Sequence, residues 1–394
     1  MTGTMFAFPD DLRDPAELDR IAGYGCDSIA VAAAYHRARD VTPHGPTRVT
    51  VRHDGVYFPL PASEFGRLVP AVAGDGALTG IYAAARERGL AVSGWTVFLH
   101  NTTLGLLHPD VTQRNCFGER AAPADLCPAH PDVRAYVVAL ARAVADTGVD
   151  AVLAESLNFG FFSHGYHHER SFVDLGAIPD FLLGLCFCEF CRAEAEQAGV
   201  DAEAAARQAR VVVDAVLNGG PPPAAELTRA NLAELAGAEL LAFVDHRPDT
   251  VTGLVREVAD ALRDKDCALC IIDGTGALKG YGDGLPTGVP AARDTWRIGV
   301  DPAAIGALVK DYVVLAYARK EQRITEDIAA YRELLGPDRR LRAVLRPGEP
   351  DTDDAAHLAA KVSAVRKAGA DSVDFYNYGM CPLPVLDRIT HALS

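Results

Sequence analysis

Three cysteines, Cys186, Cys188 and Cys191, form a C-x-C-x-x-C array near the middle of the chain. That spacing brings three thiols within reach of one ion, since a tetrahedral zinc–thiolate site needs bonds of about 2.3 Å. A fourth ligand is required. Cys116 and Cys127 both precede the array, and Cys127 is favoured because, in Leu126-Cys127-Pro128, it opens the helix leading to the fourth apolar run. Four thiolates leave no open coordination position, so such a zinc is structural. The competing reading is a set of reduced cysteines buried in a core. Cys267 and Cys270 repeat a C-x-x-C spacing, but Cys270 falls inside an apolar run and reads as core packing directed at the surrounding helices.

Between Cys127 and the array lies the run 150–155, which ends in Glu155. A carboxylate at the end of a buried strand is costly unless it is paired or neutralised, which marks Glu155 for acid–base chemistry. Asp273 ends the run 268–273 in the same way. In the run 372–376, alternation puts Val373 and Phe375 on one face and Asp374 and Tyr376 on the other, so the polar pair is expected inside. Asp273 and Asp374 are therefore the candidate second carboxylates, with a structural salt bridge or helix cap as the plainer alternative. Other run ends add groups suited to a polyhydroxylated ligand: Trp95, His100, Asn101, Asn158, Tyr317, Arg346 and Tyr376, with Tyr35 and His36 after the second run and Trp296 further on. The loop 156–180 is too long for a simple connection and carries His164, His167 and His168. These histidines suit a second metal with Glu155, hydroxyl binding by His164 and His168, or a solvated loop.

The elements that must hold these groups are legible as a rhythm. Eight short apolar runs, at 4–8, 28–34, 91–99, 150–155, 268–273, 312–317, 341–345 and 372–376, alternate with helical stretches. Strands apolar on both faces and joined by helical crossovers are parallel and covered on both sides. Eight such units predict an α/β fold, a (β/α)8 TIM barrel over residues 1–394, with function at the C-terminal strand ends. An open doubly wound sheet is disfavoured by the missing G-x-G-x-x-G after the first strand. Two insertions decorate the barrel. One, at 46–61 after strand two, reads as a hairpin turning at His53-Asp54-Gly55. The other, at 156–250 after strand four, holds the histidine loop, the cysteine array and extra helices, broken by Gly219-Gly220-Pro221-Pro222-Pro223.

Bulk composition narrows the function. The 394 residues are 49% hydrophobic and carry a formal charge of −15. This describes a globular protein with a large core and no nucleic-acid surface. No apolar stretch approaches the ~20 residues of a membrane span, and the N-terminus lacks signal-peptide character, so a cytoplasmic address is expected. Nine cysteines in that setting point to thiols and metal, not disulfides.

The segment 126–192 resembles the family 42 β-galactosidases, barrel glycoside hydrolases in which a Cys-Pro segment, a strand-four glutamate and a C-x-C-x-x-C array follow in this order. The resemblance implies that Glu155 is the general acid/base and that Cys127, Cys186, Cys188 and Cys191 hold a structural zinc. Two departures limit it. Ala154 stands where that family has asparagine, and strand seven ends in Leu345-Arg346 where the family's nucleophile is a glutamate. Either Glu349 takes that place, or Asp273 or Asp374 does, or there is no second acid. The chain also looks like glycosyl-hydrolase-like barrels of an actinobacterial type with similar cysteine and His-Gly-x-His-His-Glu segments, from which no activity carries over. The expectation is a glycoside hydrolase acting on a small-molecule sugar or glycoside, in a chain that forms a homo-oligomer or stands alone. The alternatives are a metal-dependent hydrolase or lyase using His164 and His168, and a non-catalytic carbohydrate-binding barrel.

Overall fold

The computed structural model describes residues 2–163, 170–279 and 282–394. Eight parallel strands close into a barrel: β1 (Thr2–Ala7), β2 (Ser28–Tyr35), β6 (Ala91–Val97), β7 (Ala151–Glu155), β8 (Ala268–Asp273), β9 (Asp311–Leu315), β10 (Arg340–Leu345) and β11 (Ser372–Phe375). Closure comes from β1, which pairs in parallel with both β11 and β2. The intervening short strands are β3 (Ala38–Val41), β4 (Val49–Arg52) and β5 (Gly55–Val56). The TIM barrel expected from the eight apolar runs is therefore the architecture, and the runs match the strands to within one or two residues at most ends. The outer helices start where sequence chemistry asks them to. Asp14, Asp301 and Asp354 each accept a backbone N–H at a helix N-terminus.

The first insertion differs from the Asp54-Gly55 hairpin. Its strands are β3 and β4, paired antiparallel from Ala38↔Arg52 to Val41↔Val49, so the turn lies at 42–48. The two residues of β5 pair instead with the end of β2. Asp54 is not a turn residue because its carboxylate is consumed elsewhere. It accepts the backbone N–H groups of Arg37, Thr102 and Thr103 and the Thr103 hydroxyl, tying the insertion to the N-terminus of helix Thr102–Leu107.

The second insertion follows β7 and contains helices Ala177–Leu183, Glu189–Gln197, Ala202–Leu217, Arg229–Ala236 and Ala238–Ala261. Among the described residues no helix is long and apolar enough to cross a membrane.

Register assigns each strand residue a face. Val344, Leu315, Ile272 and Glu155 line a central cavity, so residues two positions earlier point inward as well. Cys270, paired with Asp311 in register, therefore faces the barrel interior, not the helices as the sequence suggested. Below the cavity, Arg342 donates through Nε and Nη2 to Asp374, through Nη1 to Asp311 and through Nη2 to the Thr4 hydroxyl. Burial works against the Arg342 charge, but the Asp374 and Asp311 carboxylates more than restore it and hold the guanidinium above its ordinary pKa. Asp374 has no exposed surface.

Removing one partner of such a buried pair leaves a charge uncompensated, at a typical cost of about 3 kcal/mol or more. Asp374→Asn should lower stability by that order in urea unfolding. A midpoint unchanged from the parent would show that Arg342 does not depend on Asp374.

Candidate functional site

The cavity at the C-terminal ends of the strands has a volume of about 450 Å³. It is lined by Glu155 together with Tyr35, His36, Asp40, His100, Asp125, Asn158, Tyr317 and Tyr376, among apolar residues including Leu99, Ile272, Ile298, Leu315 and Val344. Ser156, directly after Glu155, has φ 54, a left-handed conformation rare outside glycine. It is held there as Phe98 and Leu99 donate to the carbonyls of Glu155 and Ser156 at 3.0 and 3.1 Å. The chain thus leaves the barrel abruptly at Glu155 and exposes its carboxyl at the cavity floor.

Glu155 has one strong partner. The indole Nε1–H of Trp95 donates to Oε2 at 2.5 Å. Trp95 was expected to offer a face for a sugar, but it is 1% exposed, wedged edge-on against Phe6, Tyr35 and Tyr376. A buried indole needs an acceptor, and Glu155 is it. Burial raises the Glu155 carboxyl above the ordinary glutamate range, while the Trp95 bond and the nearby His100 offset part of the rise.

His100 Nδ1 lies 3.4 Å from an oxygen of Asp125, and its ring meets His36 edge-on at 4.9 Å. Asp125 did not stand out in the sequence, since it sits in an irregular loop. The signal was its position two residues before Cys127. Residues 124–126 run antiparallel to residues 99–101, just after strand β6, with Asn101 N–H donating to Ala124 O and Leu126 N–H to Leu99 O. Asp125 is thereby set opposite His100. Gly160 passes directly over its carboxylate, and a Cβ there would come within 2.3 Å of Oδ2.

The two candidate second acids lie elsewhere. Asp273 ends β8 one residue after Ile272, so it faces the helical layer. One oxygen accepts from the Tyr312 hydroxyl and the other from Thr275. Asp374 points inward, but under the cavity and onto Arg342. Glu349 is exposed, 3.5 Å from Arg319. Neither Asp273 nor Asp374 is brought to Glu155, whereas Asp125 and Asp40 line the same cavity as it does. Arg346 is held bidentately by Asp351 and lies 4.6 Å over the Tyr317 ring, backing that wall. Asn101 caps the helix Thr102–Leu107. The Asn158 amide donates to Phe159 O. Trp296 packs on Phe181. His164 and His168 lie outside the described residues.

The four cysteines named from sequence converge. The Sγ atoms of Cys127, Cys186, Cys188 and Cys191 all lie within 4.8 Å of one another, all four residues being buried. Cys127 Sγ is 3.5 Å from Cys188 Sγ, 3.5 Å from Cys191 Sγ and 3.8 Å from Cys186 Sγ. The edge of a tetrahedron with zinc–sulfur bonds is about 3.8 Å, so the group could hold a metal ion. The Arg114 backbone N–H points at Cys186 Sγ from 3.4 Å. Cys116 is buried but stands apart from the group. Among the described residues this is the one cluster suited to a metal.

The fold defines the class: a (β/α)8 barrel. Solved structures similar to this chain include α-L-fucosidase isoenzyme 2 from Paenibacillus thiaminolyticus (TM-score 0.57, 12% identity, 100% of this chain and 49% of that one). A β-galactosidase from the psychrophilic Marinomonas ef1 gives TM-score 0.56 and 12% identity over 99% of this chain and 58% of that one. The catalytic domain of β-amylase from Paenibacillus polymyxa gives TM-score 0.55 and 9% identity, covering 99% and 97%. The chain thus spans about half the length of the fucosidase. The sequence matches no protein-family model and no curated protein.

The Glu155 environment sets a sign for stability against pH. A carboxyl whose folded pKa is raised binds protons more tightly when native, so stability falls as pH climbs from the ordinary glutamate value through the raised one. Glu155→Gln removes that cost. Its melting temperature should equal or exceed the parent's at neutral pH, with the gap closing towards pH 4. A variant less stable at neutral pH than at acid pH, relative to the parent, would contradict the assignment.

Proposed function

We propose that the chain is a glycoside hydrolase in which Glu155 is the general acid. The carrying observation is a carboxyl with a raised pKa, bound by one indole donor, on the floor of a strand-end cavity. A carboxylic acid kept protonated near neutrality can donate to the leaving oxygen of a glycoside.

The second group in this reading is Asp125, acting with His100. The resemblance to family 42 enzymes would put a nucleophile at the end of strand seven, but there Val344 faces the cavity and Arg346 is engaged by Asp351. Asp125 orients the His100 imidazole, and the pair can take a proton from a water attacking the anomeric carbon. This is single displacement with inversion, for which two acids need to stand about 6.5–9.5 Å apart. Tyr35, His36, Asn158, Tyr317 and Tyr376 would bind hydroxyls and ring faces. The preferred substrate is a neutral glycoside, because no lysine or arginine stands among the described residues lining the cavity.

Zinc is the ion proposed for Cys127, Cys186, Cys188 and Cys191, because a compact set of four thiol donors suits it best. With four protein ligands it would supply cross-linking and no bond-making chemistry. This reading treats residues 156–250 as an insertion of one barrel domain that carries the metal clamp. A metal-dependent hydrolase has no observation in its favour among the described residues.

A panel of aryl and natural glycosides supplies the test. On any substrate turned over, Glu155→Gln should lower kcat by about 10²–10⁴-fold, and Asp125→Asn should fall within the same range. NMR of the first-formed product should show the inverted anomer. Wild-type turnover by Glu155→Gln removes it from the reaction, and retention removes Asp125 as base. A chain that binds sugars without hydrolysing any would be a carbohydrate-binding barrel instead.

A further inference from the structure

Arg247, in helix Ala238–Ala261, is a buried cation with an unusual set of neighbours. It is 4% exposed, its plane lies 4.3 Å over the Phe159 ring, and Nη1 donates to the Arg297 carbonyl at 3.0 Å. Its Nε has no hydrogen-bond partner, and it pairs with no carboxylate among the described residues. Guanidinium stays protonated in proteins, and taking it out of water without an anion is strongly unfavourable. Burial does push Arg247 down, to about 10, still well above neutral pH. The same helix packs on the cysteine array: Phe243, one turn before Arg247, stacks at 4.5 Å on Phe187, which stands between Cys186 and Cys188, and the sulfurs of Cys191, Cys186 and Cys127 act on Arg247 in the opposite direction to burial.

Neutral thiols would give those sulfurs little power to hold a cation. Four thiolates around a divalent ion carry two net negative charges, and that is the anion the pocket otherwise lacks. We infer that Arg247 is the counter-charge of the metal–thiolate centre and the link from that centre to the cavity wall. The inference rests on the metal reading above. The link runs through two backbone segments. Phe159 follows Asn158, and Ile298 follows Arg297. Asn158 and Ile298 line the cavity, and Phe159 N–H donates to Ile298 O at 3.1 Å. One guanidinium therefore grips both segments, on a helix that packs against the cysteine array. Arg247 is a positioning residue and touches no substrate in this account.

The experiment measures metal in the full chain. Purified wild type should hold one zinc per chain by elemental analysis, and less than half an equivalent would overturn the metal reading and this inference together. With metal present, release to a chromophoric chelator is timed for wild type, Arg247→Lys, Arg247→Gln and Arg247→Met. Loss of an outer-shell partner typically weakens a metal site about 10- to 100-fold. Arg247→Met should release zinc at least about tenfold faster. Arg247→Lys, which keeps the charge, should lie between wild type and Arg247→Gln. Where Arg247→Met does not accumulate folded, the Lys–Gln pair decides. Equal release from Lys and Gln variants, or wild-type release from Met, overturns the inference while leaving the metal reading intact. A merely structural role would affect all three variants through packing and would not rank them by charge.

Discussion

A charge taken out of water must find a partner, and the interior of this barrel is arranged by how completely that demand is met. Arg342 is met in full, with Asp374 and Asp311 on two sides and a threonine hydroxyl on a third. Nothing there is free to react. Glu155 is met in part, by one indole N–H and a nearby imidazole, and its other side opens on the cavity. Its carboxyl is therefore raised above the ordinary glutamate range, the direction that suits a proton donor. The two acids sit at inward-facing positions of neighbouring barrel layers, yet the count of partners separates structure from chemistry.

The same demand organises the sulfur cluster and ties it to the cavity. Cys127 closes a long loop whose preceding residues pair with residues 99–101, just after strand β6, so a metal held by the cluster would fix the loop that carries Asp125. Cys186, Cys188 and Cys191 come from the far side of another long connection. Closing loops of this length costs entropy that grows slowly with length, and a single clamp shared by two loops offsets both. A metal held there would tie the loop that carries Asp125 to the array 186–191.

Much of this was legible in the sequence, for identifiable reasons. Strands buried on both faces read as unbroken apolar runs, so the eight strands and the parallel barrel could be counted. The cluster of four cysteines could be named because the C-x-C-x-x-C spacing is a local signal and Cys127 opens the helix that feeds the fourth barrel strand. The misplacements came from non-local facts. Asp54-Gly55 looks like a hairpin turn until Asp54 is seen capping a helix that begins at Thr102, far along the chain. Asp273 looks like Glu155, a lone acid after an apolar run, but a run apolar on both faces gives alternation nothing to count from. The two acids fall on opposite faces. Trp95 reads as a sugar platform by type, and only packing reveals a donor aimed at a carboxyl.

The composition of the cavity argues for what it accepts. Its carboxylates are Glu155, Asp125 and Asp40, and its only basic side chains among the described residues are His36 and His100. Asp40 is already matched by Arg52. Among the described residues, guanidinium groups (Arg37, Arg170 and Arg297) line only the adjoining space that shares His36, His100 and Asp125, so an anion in the cavity itself would meet acids first. The tyrosine wall adds hydroxyls without charge: Tyr35 and Tyr376 stand 3.3 Å apart through their oxygens, and the Tyr317 and Tyr376 rings are 6.2 Å apart. Leu99, Ile272, Ile298, Leu315 and Val344 supply apolar surface beside them. Neutral hydroxyls and apolar patches in alternation complement a ring that carries hydroxyls on its rim and C–H groups on its faces. That match is the physical support for the uncharged sugar proposed as substrate, and it is independent of any likeness of fold.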